Sequence, residues 1–246
     1  MIEYILTNQL HRRYDMLLKG LQKLTLLDFP GKIACTVFSG GCNLRCPFCH
    51  NASLVLGERV KSTPTLPEEE FFSFLSKRVN VLEGVCVSGG EPTLAEDLLP
   101  FLEKIKKLGF AVKLDTNGTR PDVLSEAINS GLVDYVAMDI KNSKEGYAKT
   151  VGLSDFDLSD VILSTEILMG GKVDFEFRTT LVRELHSEED IRSIGEWLSG
   201  DEKYFIQTFR DSGDLILNTF SGYAEKETEY LLKLLKAYIP NAQIRG

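Results

Sequence analysis

Apolar residues along this chain follow two periods that take turns. Short runs rich in Val, Ile, Phe and Tyr at 33–38, 84–88, 111–115, 135–139, 173–179 and 204–209 read as strands. Longer stretches at 67–79, 94–108, 121–130, 158–169, 187–198 and 224–238 read as helices. In the second of these, Leu94, Leu98, Leu99, Leu102, Ile105 and Leu108 recur at three- and four-residue steps and share one helical face. Ser187 followed by Glu188, Glu189 and Asp190 marks a capped, acidic helix start. Pro240 lies just beyond the last helical stretch, as a residue that cannot continue it.

Strand and helix alternate six times, which predicts an α/β fold of parallel strands with helices packed outside. The clusters Ser88-Gly89-Gly90-Glu91, Asp115-Thr116-Asn117, Asp139-Ile140-Lys141 and Arg178-Thr179-Thr180 each fall at the C-terminal end of a predicted strand. A cysteine-rich loop follows the first strand. In a parallel barrel those ends are where catalytic groups gather. Six units are two short of a closed eight-stranded barrel, so the expectation is a partial (β/α)6 barrel with a laterally open face. Residues 1–15 stand outside the pattern as an N-terminal extension, and 16–246 read as a single domain with no internal linker.

With 43% hydrophobic and 26% charged residues, the composition is that of a soluble globular chain. No apolar run is long enough to cross a bilayer, and Met1-Ile2-Glu3-Tyr4 lacks a secretory pattern. The expected location is therefore the cytoplasm, with no membrane partner. A formal charge of −8 argues against a nucleic-acid partner, because phosphate binding needs clustered Lys and Arg. Five cysteines make no even disulfide framework. Cys35 and Cys86 lie inside apolar runs and read as buried core thiols. The three histidines, His11, His50 and His186, are too scattered to imply a histidine metal site.

Cys42, Cys46 and Cys49 carry the most chemistry. Three thiolates in one loop can grip three corners of an iron–sulfur cube but not the fourth, whereas closed clusters take four cysteines. The vacant corner leaves one iron open to an outside ligand. Two other readings of the loop are zinc with His50 as the fourth ligand and a Cys46–Cys49 redox pair. Zinc would require adjacent side chains, Cys49 and His50, to turn onto one metal. The redox pair would leave Cys42 idle.

The C-x-x-x-C-x-x-C spacing, with Phe48 before the third cysteine, resembles the signature of the radical S-adenosylmethionine (SAM) enzymes. That resemblance implies a [4Fe-4S] cluster on Cys42, Cys46 and Cys49, with SAM chelating the fourth iron. It also implies reductive cleavage of SAM to a 5′-deoxyadenosyl radical, with no catalytic side chain beyond cluster and SAM. Gly89-Gly90-Glu91-Pro92 is similar to the family's segment that meets the SAM amino group. Glycines permit close backbone approach there, and a carboxylate suits an ammonium.

The segments Cys49-His50-Asn51, Asp115-Thr116-Asn117-Gly118 and Met138-Asp139-Ile140-Lys141 resemble the activating enzymes of glycyl radical enzymes. Lys19-Gly20-Leu21-Gln22-Lys23 and Asp28-Phe29-Pro30-Gly31-Lys32 resemble more narrowly the anaerobic ribonucleoside-triphosphate reductase activating proteins. The resemblance implies cofactor contacts from Phe48, His50, Gly89, Gly90, Glu91, Asp115, Asn117, Asp139 and Lys141. Lys141 suits the SAM carboxylate, and a monovalent cation is implied near Asp115, Thr116 and Asp139. For the segment Asp115-Thr116-Asn117-Gly118 an Asx-type turn is an equal reading.

The implied partners are a glycyl radical enzyme, with anaerobic ribonucleotide reductase foremost, and a flavodoxin-like electron donor. Two alternatives stay open: activation of a pyruvate formate-lyase type enzyme, and a small-molecule reaction as in the 7-carboxy-7-deazaguanine synthases. One departure stands out. The pyruvate formate-lyase activators carry a SAM-contacting histidine near the last strand, where this chain reads Gln207-Thr208-Phe209-Arg210. Arg178, at a strand end, is expected either to meet SAM or a partner, or to pair with Glu176 or another surface carboxylate.

Overall fold

The computed structural model describes residues 16–201 and 203–245; the expectation for an extension over 1–15 lies outside them. The fold is α/β. Its strands are β1 (Leu18–Thr25), β2 (Ala34–Ser39), β3 (Gly84–Gly89), β4 (Ala111–Thr116), β5 (Tyr135–Asp139), β6 (Asp174–Leu181), β7 (Tyr204–Thr208) and β8 (Gln243–Arg245). They form an eight-stranded sheet in sequential order, with β1 and β8 at its ends. β1 runs antiparallel to β2, whereas the β2–β3, β3–β4, β6–β7 and β7–β8 pairs are parallel.

All six predicted strands are present as β2 to β7, in the class and order expected of a partial barrel. The strand count is corrected from six to eight. β1 escaped the pattern because only its end residues Leu18 and Thr25 are buried, and register shifts after Leu18 and Gln22 break its two-residue period. Backbone pairing to β2, which leaves no mark on residue type, is what makes it a strand. β8 has only three residues, too few for a periodic signal.

Six of the helices lie within the predicted stretches: α3 (Glu68–Ser76), α4 (Leu98–Lys107), α5 (Pro121–Asn129), α7 (Ser159–Met169), α8 (Glu188–Trp197) and α9 (Glu225–Leu235). The short α1 (Ala52–Val55), α2 (Gly57–Ser62) and α6 (Tyr147–Val151) were not foreseen. Ser187 caps α8 as expected: its Oγ accepts from Asp190 N–H, and the Asp190 carboxylate accepts from Ser187 N–H. Such a box stabilises a helix start by about 1 kcal/mol.

The chain packs as two compact units. One holds the described residues of Met1–Asn43 with Ser53–Thr116 and Asp122–Val136, and the other holds Leu44–Ala52, Asn117–Pro121 and Ala137–Gly246. In the first unit, Val37, Val85, Val87 and Leu114 of β2 to β4 are fully buried, as are Leu98, Leu102 and Ile105 of α4. Phe101 of α4 stacks on Phe71 of α3 with centroids 5.5 Å apart. Cys35 and Cys86 are buried here as expected, and burial pushes the Cys35 thiol up to about 12. In the second unit, Phe177 of β6 and Ile206 of β7 are buried, together with Ile191 and Ile194 of α8 and Leu231 and Leu235 of α9.

Candidate cofactor site

The expected ligands divide between the units. Cys42, Gly89, Gly90, Glu91, Asp115 and Thr116 belong to the first, and Cys46, Phe48, Cys49, His50, Asn117, Asp139 and Lys141 to the second.

In the first unit, the end of β3 is threaded against the backbone that leads into Cys42. Gly90 N–H donates to Ser39 O at 2.9 Å, and Glu91 N–H donates to Gly41 O at 2.8 Å. Gly89 has φ +121, and a Cβ there would stand 2.3 Å from Ser39 N and O. A Cβ on Gly90 would stand 1.9 Å from Gly41 O. Close backbone approach was the expected reason for these glycines, and the backbone they approach is the chain's own.

Glu91 is 2% exposed. Its Oε1 accepts from Thr93 N–H at 3.1 Å and from the Thr93 and Thr116 hydroxyls at 2.5 and 2.8 Å. These bonds compensate a buried carboxylate and cap the short 3-10 turn Pro92–Leu94. Asp115 is paired with the Lys113 ammonium and accepts from Ser88 Oγ at 2.9 Å. Lys113 itself is 1% exposed.

In the second unit, Cys46 and Cys49 sit on one turn, with Cys49 N–H donating to Cys46 O at 3.0 Å. A later segment straps this loop. Ile216 N–H donates to Cys49 O and Leu217 N–H to Pro47 O, while Ala52 N–H donates to Asp214 O. Ser212 Oγ adds a bond to His50 O at 3.1 Å. Phe48 is buried and meets the edge of Phe209 with centroids 6.5 Å apart.

Burial pushes the Cys46 thiol up to about 11, with Lys141 as the largest influence in the other direction. Cys49 is raised for the same main reason, opposed by the Asn51 backbone N–H and Lys141. His50 is lowered by burial and by Lys141. Lys141 Nζ stands 2.9 Å from Asp139 Oδ2, and Arg178 Nε and Nη2 are each 2.9 Å from Asp139 Oδ1. Burial alone would raise the Asp139 carboxyl, but Arg178 and Lys141 outweigh it and hold it far below the carboxylate range. Burial would lower Lys141, but Asp139 and Cys46 together outweigh it and raise the ammonium above its ordinary value. All three groups are charged, so the cluster keeps a net positive charge beside Cys46 and Cys49.

Of the carboxylates expected for Arg178, the structure gives Asp139, while Glu176, fully buried, is bound by Arg245 of β8. Asn117 forms the Asx-type turn: its Oδ1 accepts from Thr119 N–H at 3.0 Å and Thr119 Oγ1 at 2.7 Å. In the stretch that lacks the histidine, Gln207 is half-buried and Arg210 is exposed. None of the five cysteines forms a disulfide. Among the described residues no three His, Cys, Asp or Glu side chains converge on a point that could hold one ion. An iron–sulfur cube asks something else, since each cysteine takes its own iron.

The Radical SAM superfamily profile matches residues 36–195, which span the cysteine loop, the Gly-Gly-Glu segment and β2 to β6. The chain belongs to the radical SAM superfamily. It is 34% identical over 235 residues to a Methanocaldococcus jannaschii protein named "Putative glycyl-radical enzyme activating enzyme", covering 93% of this chain and 95% of that one. It is 30% identical over 181 residues to the pyruvate formate-lyase-activating enzyme of Clostridium pasteurianum, 71% of this chain and 73% of that one. The fold matches a radical SAM methyltransferase from Sphaerobacter thermophilus with TM-score 0.69 at 15% identity, over 90% of this chain and 68% of that chain.

A radical SAM enzyme works with a [4Fe-4S] cluster and SAM, and the donor set here suits them. Three thiols stand at the family spacing, none committed to a disulfide. The Lys141–Asp139–Arg178 cluster beside two of them offers the positive charge that an anionic cluster or a carboxylate needs. Arg178 and His186 are the parts that sequence reasoning undervalued. Their partners lie 39 and 45 residues away, and no local pattern points to contacts at such range.

Proposed function

We propose that this chain is a glycyl-radical-enzyme activase, which takes a hydrogen atom from a backbone glycine of a large partner. The observation that carries the reading is the match to the Methanocaldococcus jannaschii protein over nearly the full length of both chains. In this reading Cys42, Cys46 and Cys49 hold the cluster, and Lys141 receives the SAM carboxylate. The backbone at Gly89 and Gly90 faces the SAM amino group, with Glu91 bracing that turn from below. Phe48 and His50 line the cysteine loop, and Asp139 orients Lys141 and Arg178. Asp115 and Asn117 shape the turns that border SAM. Bound together, the cluster and SAM supply reductive cleavage of a carbon–sulfur bond and the hydrogen-abstracting radical. The protein supplies position and dryness.

The reading includes no monovalent cation. Asp115 already has the Lys113 ammonium, and Asp139 already has Lys141 and Arg178.

The partner we propose is an anaerobic ribonucleotide reductase, with electrons from a flavodoxin-like donor. The support is the resemblance of residues 19–23 and 28–32. In the structure the second of these segments also serves the fold: Phe29 is 2% exposed and packs on Tyr135 with centroids 6.1 Å apart. The test is anaerobic incubation with SAM, a reductant and candidate partners. We expect 5′-deoxyadenosine and a glycyl electron-paramagnetic-resonance doublet with a ribonucleotide reductase. A doublet only with a pyruvate formate-lyase type enzyme would move the partner. Turnover of a small metabolite without any doublet would overturn the activase reading.

A further inference from the structure

His186 lies in the turn between β6 and α8 and is 1% exposed. A buried imidazole must have both ring nitrogens matched. Nδ1 stands 3.0 Å from Val182 N and 3.1 Å from Val182 O, and Nε2 stands 2.8 Å from the carbonyl oxygen of Lys141. A carbonyl can only accept, so the ring proton belongs on Nε2, and in the neutral ring Nδ1 accepts from Val182 N–H. Burial lowers the pKa of the ring and thereby favours this neutral form.

Lys141 lies in irregular backbone just past β5, where the sheet ladder has ended. Its neighbours are pinned to the β6–α8 segment one by one. Ile140 N–H donates to Arg178 O at 2.8 Å, and Thr179 Oγ1 donates to Ile140 O at 2.6 Å. The Asn142 amide donates to Leu185 O at 2.9 Å and to Thr150 Oγ1 at 2.7 Å. His186 supplies the pin for the residue between them. The turn that presents it is itself braced, with His186 N–H on Val182 O and the Tyr223 hydroxyl donating to His186 O.

We infer that His186 is a positioning residue: its imidazole, bridging the Val182 N–H and the Lys141 carbonyl, sets where the Lys141 ammonium stands and so tunes the binding of a carboxylate ligand. The inference rests on the proposed role of Lys141 toward SAM. A lysine stem is flexible, and fixing its backbone and its Asp139 partner leaves fewer conformations to lose on binding.

The test measures SAM affinity of anaerobically reconstituted protein by calorimetry, with iron content and visible absorbance as controls. His186→Ala should weaken SAM binding about tenfold at unchanged iron content. His186→Gln, whose amide can donate to one group and accept from the other, should recover most of it. Lys141→Ala should weaken binding at least as much as His186→Ala. Wild-type affinity in His186→Ala beside a weakened Lys141→Ala would overturn the inference alone. Equal losses in His186→Ala and His186→Gln would also overturn it, because that pattern signals packing only. Wild-type affinity in Lys141→Ala would defeat the role given to Lys141, and the inference with it.

The unmutated protein offers a second test that does not depend on a variant folding. With only three histidines in the chain, nitrogen-15 histidine spectra should show one ring locked with its proton on Nε2. A proton on Nδ1 of His186 would contradict the bridge.

Discussion

The two units differ in how each holds the residues expected to meet the cofactors. In the first, the expected contact region is defined by missing side chains: Gly89 and Gly90 let one strand end lie against the backbone entering Cys42. In the second, it is defined by charge: Asp139 stands between Lys141 and Arg178, beside Cys46 and Cys49. Shape of the first kind is intolerant of any added atom. Charge of the second kind tolerates change in size but not in sign, and one half should therefore fail by unfolding where the other fails by losing its ligand.

The largest expected effect is on the glycine side. Gly90→Ala puts a methyl group 1.9 Å from Gly41 O, against backbone that cannot yield, and should cost about 3 kcal/mol of unfolding free energy in a denaturant titration. Gly213→Ala is the contrast. Gly213 has φ +80 but nothing within 4 Å of a Cβ, so about 1 kcal/mol is expected. Equal costs at the two positions would mean that the tight threading at Gly90 does not exist.

The charged half comes next. Asp139→Asn leaves Lys141 and Arg178 facing one another without the carboxylate between them. The Asp139 side chain is 30% exposed, so solvent softens the penalty to about 2 kcal/mol. SAM binding should fall more sharply than stability, because Lys141 is no longer held. Unchanged SAM affinity in Asp139→Asn would separate the charge cluster from ligand binding.

The smallest effect is on pH. The folded-state pKa of His186 is lowered below the ordinary 6.5, mainly by burial. The unfolded chain therefore takes up a proton more readily, and the stability due to the neutral ring is present above 6.5 and lost as pH falls through the lowered value. The Lys141 and Val182 backbone oppose this through their hydrogen bonds to the ring, and Asp190 on α8 adds to them, all favouring the charged form; the Tyr223 hydroxyl donates to His186 O. His50 is shifted in the same direction. Asp139, held far below its usual range, keeps its stabilising contribution until much stronger acid. A thermal scan from pH 7.5 to 5 should show the wild-type midpoint dropping by more than that of His186→Gln. Parallel slopes would remove His186 from the account.

Local features were legible and distant ones were not. The cysteine spacing, the Gly-Gly-Glu turn and the Ser187 cap are written within a few residues, and the structure carries each of them. The six predicted strands stand out because burial gives them dense apolar runs. β1 was missed because none of its middle residues is fully buried and pairing makes it a strand. For Arg178 the sequence left the carboxylate open, because Asp139 lies 39 residues off on β5. His186 was set aside as scattered because its partners are an N–H and a carbonyl, groups that every residue type offers.

If three cysteines hold a cluster whose fourth iron is open to SAM, electron paramagnetic resonance of the anaerobically reconstituted, reduced protein should show it. We expect a reduced [4Fe-4S] signal that changes when SAM is added, and that is lost with iron when Cys42, Cys46 or Cys49 becomes Ala. A protein that binds one zinc, or a cluster spectrum indifferent to SAM, would rule the open cluster out.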